Sequence, residues 1–524
     1  MLSLPPDDPA AEDTGPPQPR RKRAKHTRSR LGCGVCRIRR IRCDRARPSC
    51  DRCTTTGRKC DGYPATTDDP LEPGANGPGV SRPLLRAQSH ALPMSPRELP
   101  LSIGSQAGRS LHYFQHNTAL EFSGYFNSDL WNTLVLQVSR RETCVQQMVV
   151  ALGLLHESFH HDHGATRCTS TARALRQQAT NEYALGIGLL NSHISTQGWA
   201  SLEITLLCSL LCVAFEWLRG DYFAAQTHLW SCNSIMAQWY DKKHPQLNAT
   251  SLSSPSGHMI RTRLRPVSTS LVLQARSMPT SLLLPWSSAF GVQSDIQPFD
   301  SLQQARDSLD VLLADALPDT VTDRTTGQID SERVWEISRR LSQWSQHFEN
   351  YLSTSDPKEL SSPPATIMKL WHTTARILLT ATLRDDEGSF DSFLPEFTDT
   401  VEKVERLLSS SSTTFSVDIG VVPLLYYVAL KCRHPRVRRQ AIKMLVDSPR
   451  REAVWDSLGA ACVVQEILEV EERGLGEVCS HLDVPFAARV CNMRAVTDVE
   501  NRRIRIITMQ QGPKTWNEEK VLIW

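Results

Sequence analysis

Two copies of one cysteine spacing stand near the start of this chain. Cys33, Cys36 and Cys43 read C-x2-C-x6-C, and Cys50, Cys53 and Cys60 repeat the pattern 17 residues further on. All six fall within 28 residues. A segment this short buries too little apolar surface to fold unaided, so whatever joins the sulfurs must supply its folding energy.

Four assignments compete for such a set. A disulfide framework belongs to an oxidising compartment. The opening MLSLPPDDPAAEDT has neither the basic n-region nor the apolar h-region of an export signal. An iron–sulfur cluster draws its ligands from a tighter run than these spacings offer. A single zinc ribbon uses four cysteines and strands two thiols. Two zinc ions sharing six thiolates fit best. Two tetrahedral zincs need eight ligand bonds, and six sulfurs supply eight only when two of them bridge both metals. Six thiolates and two Zn2+ leave a charge of −2, which neighbouring arginines offset.

Charge gathers at the same place. Residues 20–60 hold 16 Lys and Arg against two acids, Asp44 and Asp51, a balance of +14. The whole chain carries only +3, so the remainder sums to −11. A basic module on an acidic body is the footprint of a nucleic-acid binder. Phosphate contacts give affinity and salt dependence without sequence choice. Sequence choice falls to RIRRIR, between Cys36 and Cys43. As a helix entering the major groove, that segment brings arginine to the O6 and N7 edge of guanine.

The run KHTRSRLGCGVCRIRRIRCDRARPSCDRCTTTGRKCDGY, residues 25–63, resembles the fungal binuclear zinc cluster DNA-binding domain, with every cysteine on its pattern. The resemblance implies that the first and fourth cysteines bridge. Cys33, Cys36, Cys43 and Cys50 would hold one zinc, and Cys50, Cys53, Cys60 and Cys33 the other. It places Pro48 in the loop between the halves. It implies that the basic pair Arg39 and Arg40, chiefly Arg40, meets the bases of a CGG-like, GC-rich triplet, while Arg37, Arg42 and Arg45 meet phosphate. The family most often carries lysine where this chain has Arg40, which departs from the pattern that accompanies CGG.

Upstream, Pro19 to Arg30 reads PRRKRAKHTRSR. Arg20, Arg21, Lys22, Arg23 and Lys25 form a nuclear-import candidate, and the nucleus is the expected compartment. Residues 1–30 read as a disordered basic tail and 31–63 as the cluster. Residues 64–108, with eight prolines and five glycines, read as a flexible linker. The linker has no heptad pattern, and its prolines break any coiled coil. The chain therefore binds one half-site alone or forms a homodimer through its body.

From residue 109 to 524 apolar residues recur at helical spacing. Val145, Met148, Val149, Leu152, Leu155 and Phe159 mark one helix. Others are expected in 202–217, 223–239, Leu302–Leu313, 331–351, 366–383 and 398–408. Ile204–Phe215 is too short to span a bilayer and reads as a core helix, and no membrane partner is expected. MRAVTDV and RRIRIITM, flanking Glu500 and Asn501, predict a hairpin. The segments LHYFQHNTALEFSGYF, VVALGLLHESF, FEWLRGDYFAAQTHL and PLLYYVALKCRHPRVRRQAIKMLVDSPRREAVWDS resemble the fungal-specific transcription factor regulatory domain. That likeness implies an almost wholly α-helical body that regulates and, in some relatives, binds a small-molecule effector.

Other signals carry less. His156-Glu157-Ser158-Phe159-His160 spells the zinc-protease signature HExxH. That chemistry needs a third ligand, and neither His161 nor His163 sits at the spacing of the extended protease motif. Cys208 and Cys212, one helical turn apart, read as core, and the scattered tryptophans read as packing. The basic run Lys431–Arg439 reads as a solvated helix end broken by Pro435.

The expected molecule is mainly α: a small zinc-cluster DNA-binding module, a disordered linker and a large all-α regulatory domain. Its expected role is zinc-dependent, sequence-specific regulation of RNA polymerase II genes, with double-stranded DNA and transcriptional coregulators as partners. The rival readings are a DNA-tethered repressor or scaffold, and an enzyme in the helical body with the cluster as accessory.

Overall fold

A computed structural model describes residues 33, 35–36, 39, 41–44, 46, 49–61, 105–126, 128–162, 169–240, 254–277, 295–317, 329–384, 386–411, 413–498, 501–512 and 516–524. The basic tail and nearly all of the linker lie outside the described residues. The chain divides into two compact units, Met1–Pro93 and Met94–Trp524.

In the first unit the buried residues are sulfurs. Cys33, Cys36, Cys50 and Cys53 are fully buried, with Val35, Cys43 and Cys60 packed against them. A one-turn helix, Asp51–Thr54, starts at Cys50 and places Cys53 on its inner side. Helical turns this short do not persist on propensity alone. Contacts among the sulfurs hold this one.

The second unit is mainly α, as the apolar periodicity implies. It opens with α1 (Gln106–Tyr113) and α2 (Ala119–Phe122), joined by a π-helical turn over Phe114–Thr118. The Ser105 side chain caps α1 by accepting the Gly108 amide. After a short helical stretch over Leu130–Leu134 and Val135–Ser139 come α3 (Thr143–Asp162) and α4 (Ser170–Gln197), packed against each other along their lengths. α4 has no counterpart among the sequence expectations. Its inner stripe is Ala172, Leu175, Ala179, Tyr183, Gly186 and Leu190, helically spaced, with small residues at three of the six positions.

α5 (Leu202–Arg219) is the core helix expected around Ile204–Phe215. Leu206, Leu207, Leu210, Leu211 and Phe215 are buried, each worth about 1.5–3 kcal/mol in apolar transfer. Gly220, in the left-handed region at φ 91°, ends the helix. α6 (Tyr222–Tyr240) returns against it. Further helices are α7 (Arg265–Ser277), α8 (Leu302–Asp315), α9 (Ser331–Thr354), α10 (Pro363–Arg384) and α11 (Leu394–Ser409). Cys208 and Cys212 are buried in the core. Trp217, Trp239 and Trp344 fill it, whereas Trp230 and Trp335 are exposed, so the tryptophans are not all packing residues.

The last third adds two small sheets. β1 (Phe415–Ser416) pairs in parallel with β2 (Arg451–Glu452), which pairs antiparallel with β3 (Trp455–Asp456). Between β1 and β2 lie α12 (Val422–Lys431) and α13 (Pro435–Asp447), and α14 (Ser457–Glu471) follows β3. β4 (Val490–Asp498) and β5 (Arg503–Gln510) form the expected hairpin, with β6 (Lys520–Ile523) paired antiparallel to β5. Arg503, Ile504, Arg505 and Ile506 alternate in side, which turns Ile504 and Ile506 inward. The body is therefore mainly helical, as expected, with few strands. Among the described residues no helix is long and apolar enough to cross a membrane.

Candidate metal centre and nucleic-acid interface

The sulfurs converge without bonding to each other. Cys33 Sγ lies 3.6 Å from Cys50 Sγ and 3.7 Å from Cys53 Sγ. Cys50 Sγ lies 3.6 Å from Cys36 Sγ and 4.0 Å from Cys60 Sγ. None of the six cysteines forms a disulfide. Zinc–thiolate bonds of about 2.3 Å set the sulfurs of one tetrahedron about 3.8 Å apart, and these separations match that edge. A disulfide would need about 2.05 Å. Burial and the neighbouring thiols push the Cys36 thiol well above its ordinary value. Metal must therefore displace protons here, and its binding is pH-dependent.

The module also closes on itself through two carboxylates that the cysteine count passed over. Asp44 follows the third cysteine of the first half, and Asp61 follows the third cysteine of the second. Asp44 Oδ2 accepts the Asp51 amide at 2.9 Å, and its Oδ1 accepts the Arg52 amide at 3.4 Å. Asp61 Oδ1 accepts the Val35 amide at 3.1 Å. Each half thus caps the helical turn of the other. Those amides adjoin Cys36, Cys50 and Cys53, so the acids orient the sulfurs from behind. The signal was present in the sequence: the two acids are 17 residues apart, the same offset as the cysteines.

Of the candidate DNA-contacting residues, Arg39 and Arg42 are described. Arg42 is exposed. Arg39 is half-buried and donates to Thr56 Oγ1 at 3.1 Å, a further tie between the halves. Arg37, Arg40 and Arg45, the loop residue Pro48, and the import candidates Arg20, Arg21, Lys22, Arg23 and Lys25 lie outside the described residues.

The other basic run is only in part a solvated helix end: Arg436 and Arg439 are exposed. Arg433 and Arg438 are fully buried. Arg433 pairs with Glu471 at 2.8 Å and with Glu387 at 2.8 Å, and Arg438 pairs with Glu471 at 2.7 Å. Lys431 reaches Glu387 at 2.6 Å. Glu471 also accepts the Val490 amide at 2.7 Å, which ties the end of α14 to β4. Burial opposes ionisation of Glu471, but the two guanidiniums hold its pKa down at about 2. Its buried part is an internal brace, because its counter-charges come from distant elements.

Comparison with known proteins agrees with this architecture. Residues 31–69 match the fungal Zn(2)-Cys(6) binuclear cluster domain, and residues 109–467 match the fungal specific transcription factor domain. The chain is 23% identical to the aspercryptin biosynthesis cluster-specific transcription regulator atnN of Emericella nidulans, across 88% of this chain and 91% of that protein. It is 26% identical to the transcription regulator lscL of Purpureocillium lilacinum, across 42% of this chain and 52% of that protein. It is 32% identical to the Zn(2)-C6 fungal-type transcription factor afumD of Aspergillus fumigatus, across 30% of this chain and 40% of that protein. No solved structure matches the chain significantly. The matches are to transcription regulators rather than enzymes. A zinc-binding cysteine cluster on a helical body, matched over more than half its length, makes this chain a DNA-binding member of the fungal Zn(2)-Cys(6) transcription factors with a fungal specific transcription factor domain.

Proposed function

We propose that the module holds two zinc ions, with Cys33 and Cys50 each bridging both. The observation that carries this reading is the pattern of sulfur contacts. Each of the four pairs within 4.0 Å given above is an edge of one of the two tetrahedra implied by the resemblance, and the Cys33–Cys50 pair is the edge both share; Cys36 and Cys53, terminal ligands of different ions in that scheme, also lie within 4.8 Å. The remaining ligands are Cys36 and Cys43 on one ion, and Cys53 and Cys60 on the other.

So assembled, the module presents the segment from Arg37 to Arg42 to the major groove of a GC-rich, CGG-like triplet. Arg40 reads the guanine edge, while Arg37, Arg42 and Arg45 grip phosphate. The engagement of Arg39 with Thr56 supports giving base readout chiefly to Arg40. The chain acts in the nucleus on RNA polymerase II genes, with Arg20, Arg21, Lys22, Arg23 and Lys25 directing import. We infer a division of labour along the chain: a basic tail over 1–30, the cluster over 31–63, a linker over 64–108 and a regulatory body over 109–524. Coregulators act through the body. The resemblance also implies a small-molecule effector for the body; the apolar pocket lined by Tyr222, Tyr426, Trp455, Met493 and Trp524, about 40 Å³, is too small to hold one as it stands. The end-to-end likeness to a biosynthesis cluster-specific regulator supports control of a biosynthetic gene set.

Arg40→Ala tests the reading in a binding titration. Loss concentrated on triplet-bearing duplexes, about 1–3 kcal/mol, supports it. An equal loss on every sequence contradicts it.

A further inference from the structure

The HExxH run at the end of α3 fails as a protease signature in sequence because no third ligand lies at a suitable spacing. The fold supplies one from elsewhere. His156 and His160 are one helical turn apart and share a face. Their Nε2 atoms lie 3.1 Å apart. Glu121, in α2, brings Oε1 to 3.0 Å from His160 Nε2 and Oε2 to 3.7 Å from His156 Nε2. Two imidazole nitrogens and one carboxylate thus converge on a single point.

The separations suit a metal. Zinc bonds of about 2.0–2.1 Å to nitrogen and oxygen set the ligand atoms of a tetrahedron about 3.3 Å apart. The site is also supported from behind. His156 Nδ1 lies 3.0 Å from Thr118 Oγ1, which fixes the ring and leaves Nε2 directed inward. Glu121 Oε2 accepts the amides of Thr414 and Phe415 at 3.3 and 3.4 Å. The rings of Tyr113, Phe122 and Phe415 stand 6.0, 5.6 and 6.0 Å from that of His156 and shield one side. His156 is fully buried, whereas the His160 side chain is 35% exposed, so the fourth position faces solvent.

We propose that Glu121, His156 and His160 bind a zinc-type divalent cation in the regulatory body, additional to the thiolate cluster. The donor set, two imidazoles and a carboxylate, is the one zinc takes in sites with an open position. The site is a clamp and not a hydrolase. Glu157, which a protease would use as its base, pairs instead with Arg109 at 3.2 Å. Occupancy would join α2, α3 and the Thr414–Phe415 segment. With no thiolate among its ligands, the site holds zinc less firmly than the cluster, so it gives the body a response to available zinc.

The test uses the full chain, loaded with zinc alone and, in parallel, with cobalt. The wild type should carry one zinc more per chain than either His160→Ala or Glu121→Gln. The thiolate-to-cobalt bands of the cluster should be present in all three, and the thermal unfolding midpoint of the helical body, followed by its helical circular dichroism, should rise with added zinc in the wild type alone. Circular dichroism on each variant confirms that the body is folded. A wild type with no extra zinc over the variants overturns the proposal, leaving a metal-free hydrogen-bonded triad. An extra ion that survives both substitutions overturns it as well. Missing thiolate bands with the extra zinc still lost in the variants would uphold this site and contradict the cluster instead.

Discussion

Asp61 Oδ1 accepts the backbone amide of Val35 at 3.1 Å, so the end of the second cysteine repeat closes on the helical turn of the first. Asp44 repeats the relationship in the opposite direction, at 2.9 Å from the Asp51 amide. The module is thus a pair of interlocked halves whose carboxylates stand one residue beyond the third cysteine of each. Asp44→Asn and Asp61→Asn should each weaken zinc binding about tenfold, the scale of an outer-shell ligand change. Competition with a chromophoric chelator measures this. Unchanged affinity in both variants would mean that the caps do not orient the sulfurs.

The proposed sharing of Cys33 and Cys50 by two ions would make the cysteines unequal. Cys33→Ser or Cys50→Ser removes a ligand from both ions, whereas Cys36→Ser or Cys60→Ser removes one from a single ion. Zinc retention under graded chelation should therefore fall further for the first pair than for the second. Equal retention across all four would contradict sharing.

The brace around Glu471 has a signature in pH. Its folded pKa is about 2, below the ordinary 4.5. A depressed carboxylate contributes stability that is complete above the unfolded value and is lost as pH falls toward the folded one. The wild type should therefore lose stability between about pH 4.5 and 2, and Glu471→Gln should lose less over that window. At neutral pH the same substitution leaves Arg433 and Arg438 without their shared counter-charge and should cost about 3 kcal/mol. Urea unfolding at a series of pH values reads both effects.

Two helical glycines should respond with opposite signs. A Cβ on Gly153, in α3, would stand 2.3 Å from the Ser110 carbonyl oxygen, where α1 crosses closely. Gly153→Ala should cost about 1–3 kcal/mol, the scale of overpacking against backbone. A Cβ on Gly188, in α4, meets nothing within 4 Å, so Gly188→Ala should stabilise by up to about 1 kcal/mol. Thermal unfolding of the two variants separates close approach from helix propensity.

These residues also show what a sequence makes legible. The cluster was readable because its cysteines are a local pattern, and the hairpin because Arg503 to Ile506 alternate. Six expected helices appear where apolar periodicity put them, from Leu202–Arg219 to Leu394–Ser409. α4 escaped because Ala172, Ala179 and Gly186 carry no hydrophobic signal, although they pack as an inner stripe. The role of Arg433 and Arg438 escaped for a different reason. A guanidinium reads as solvated until its partner is known, and Glu471 reaches it only through tertiary folding. The meeting of Glu121 with His156 was hidden in the same way.

The central claim is zinc-dependent, sequence-specific recognition of DNA. Selection of duplexes from a random pool by the full chain, once zinc-loaded and once chelated, tests it most directly. The zinc-loaded chain should enrich a GC-rich, CGG-like triplet, and chelation should abolish that enrichment. Retention of duplexes without enrichment, or the same enrichment after chelation, would contradict it.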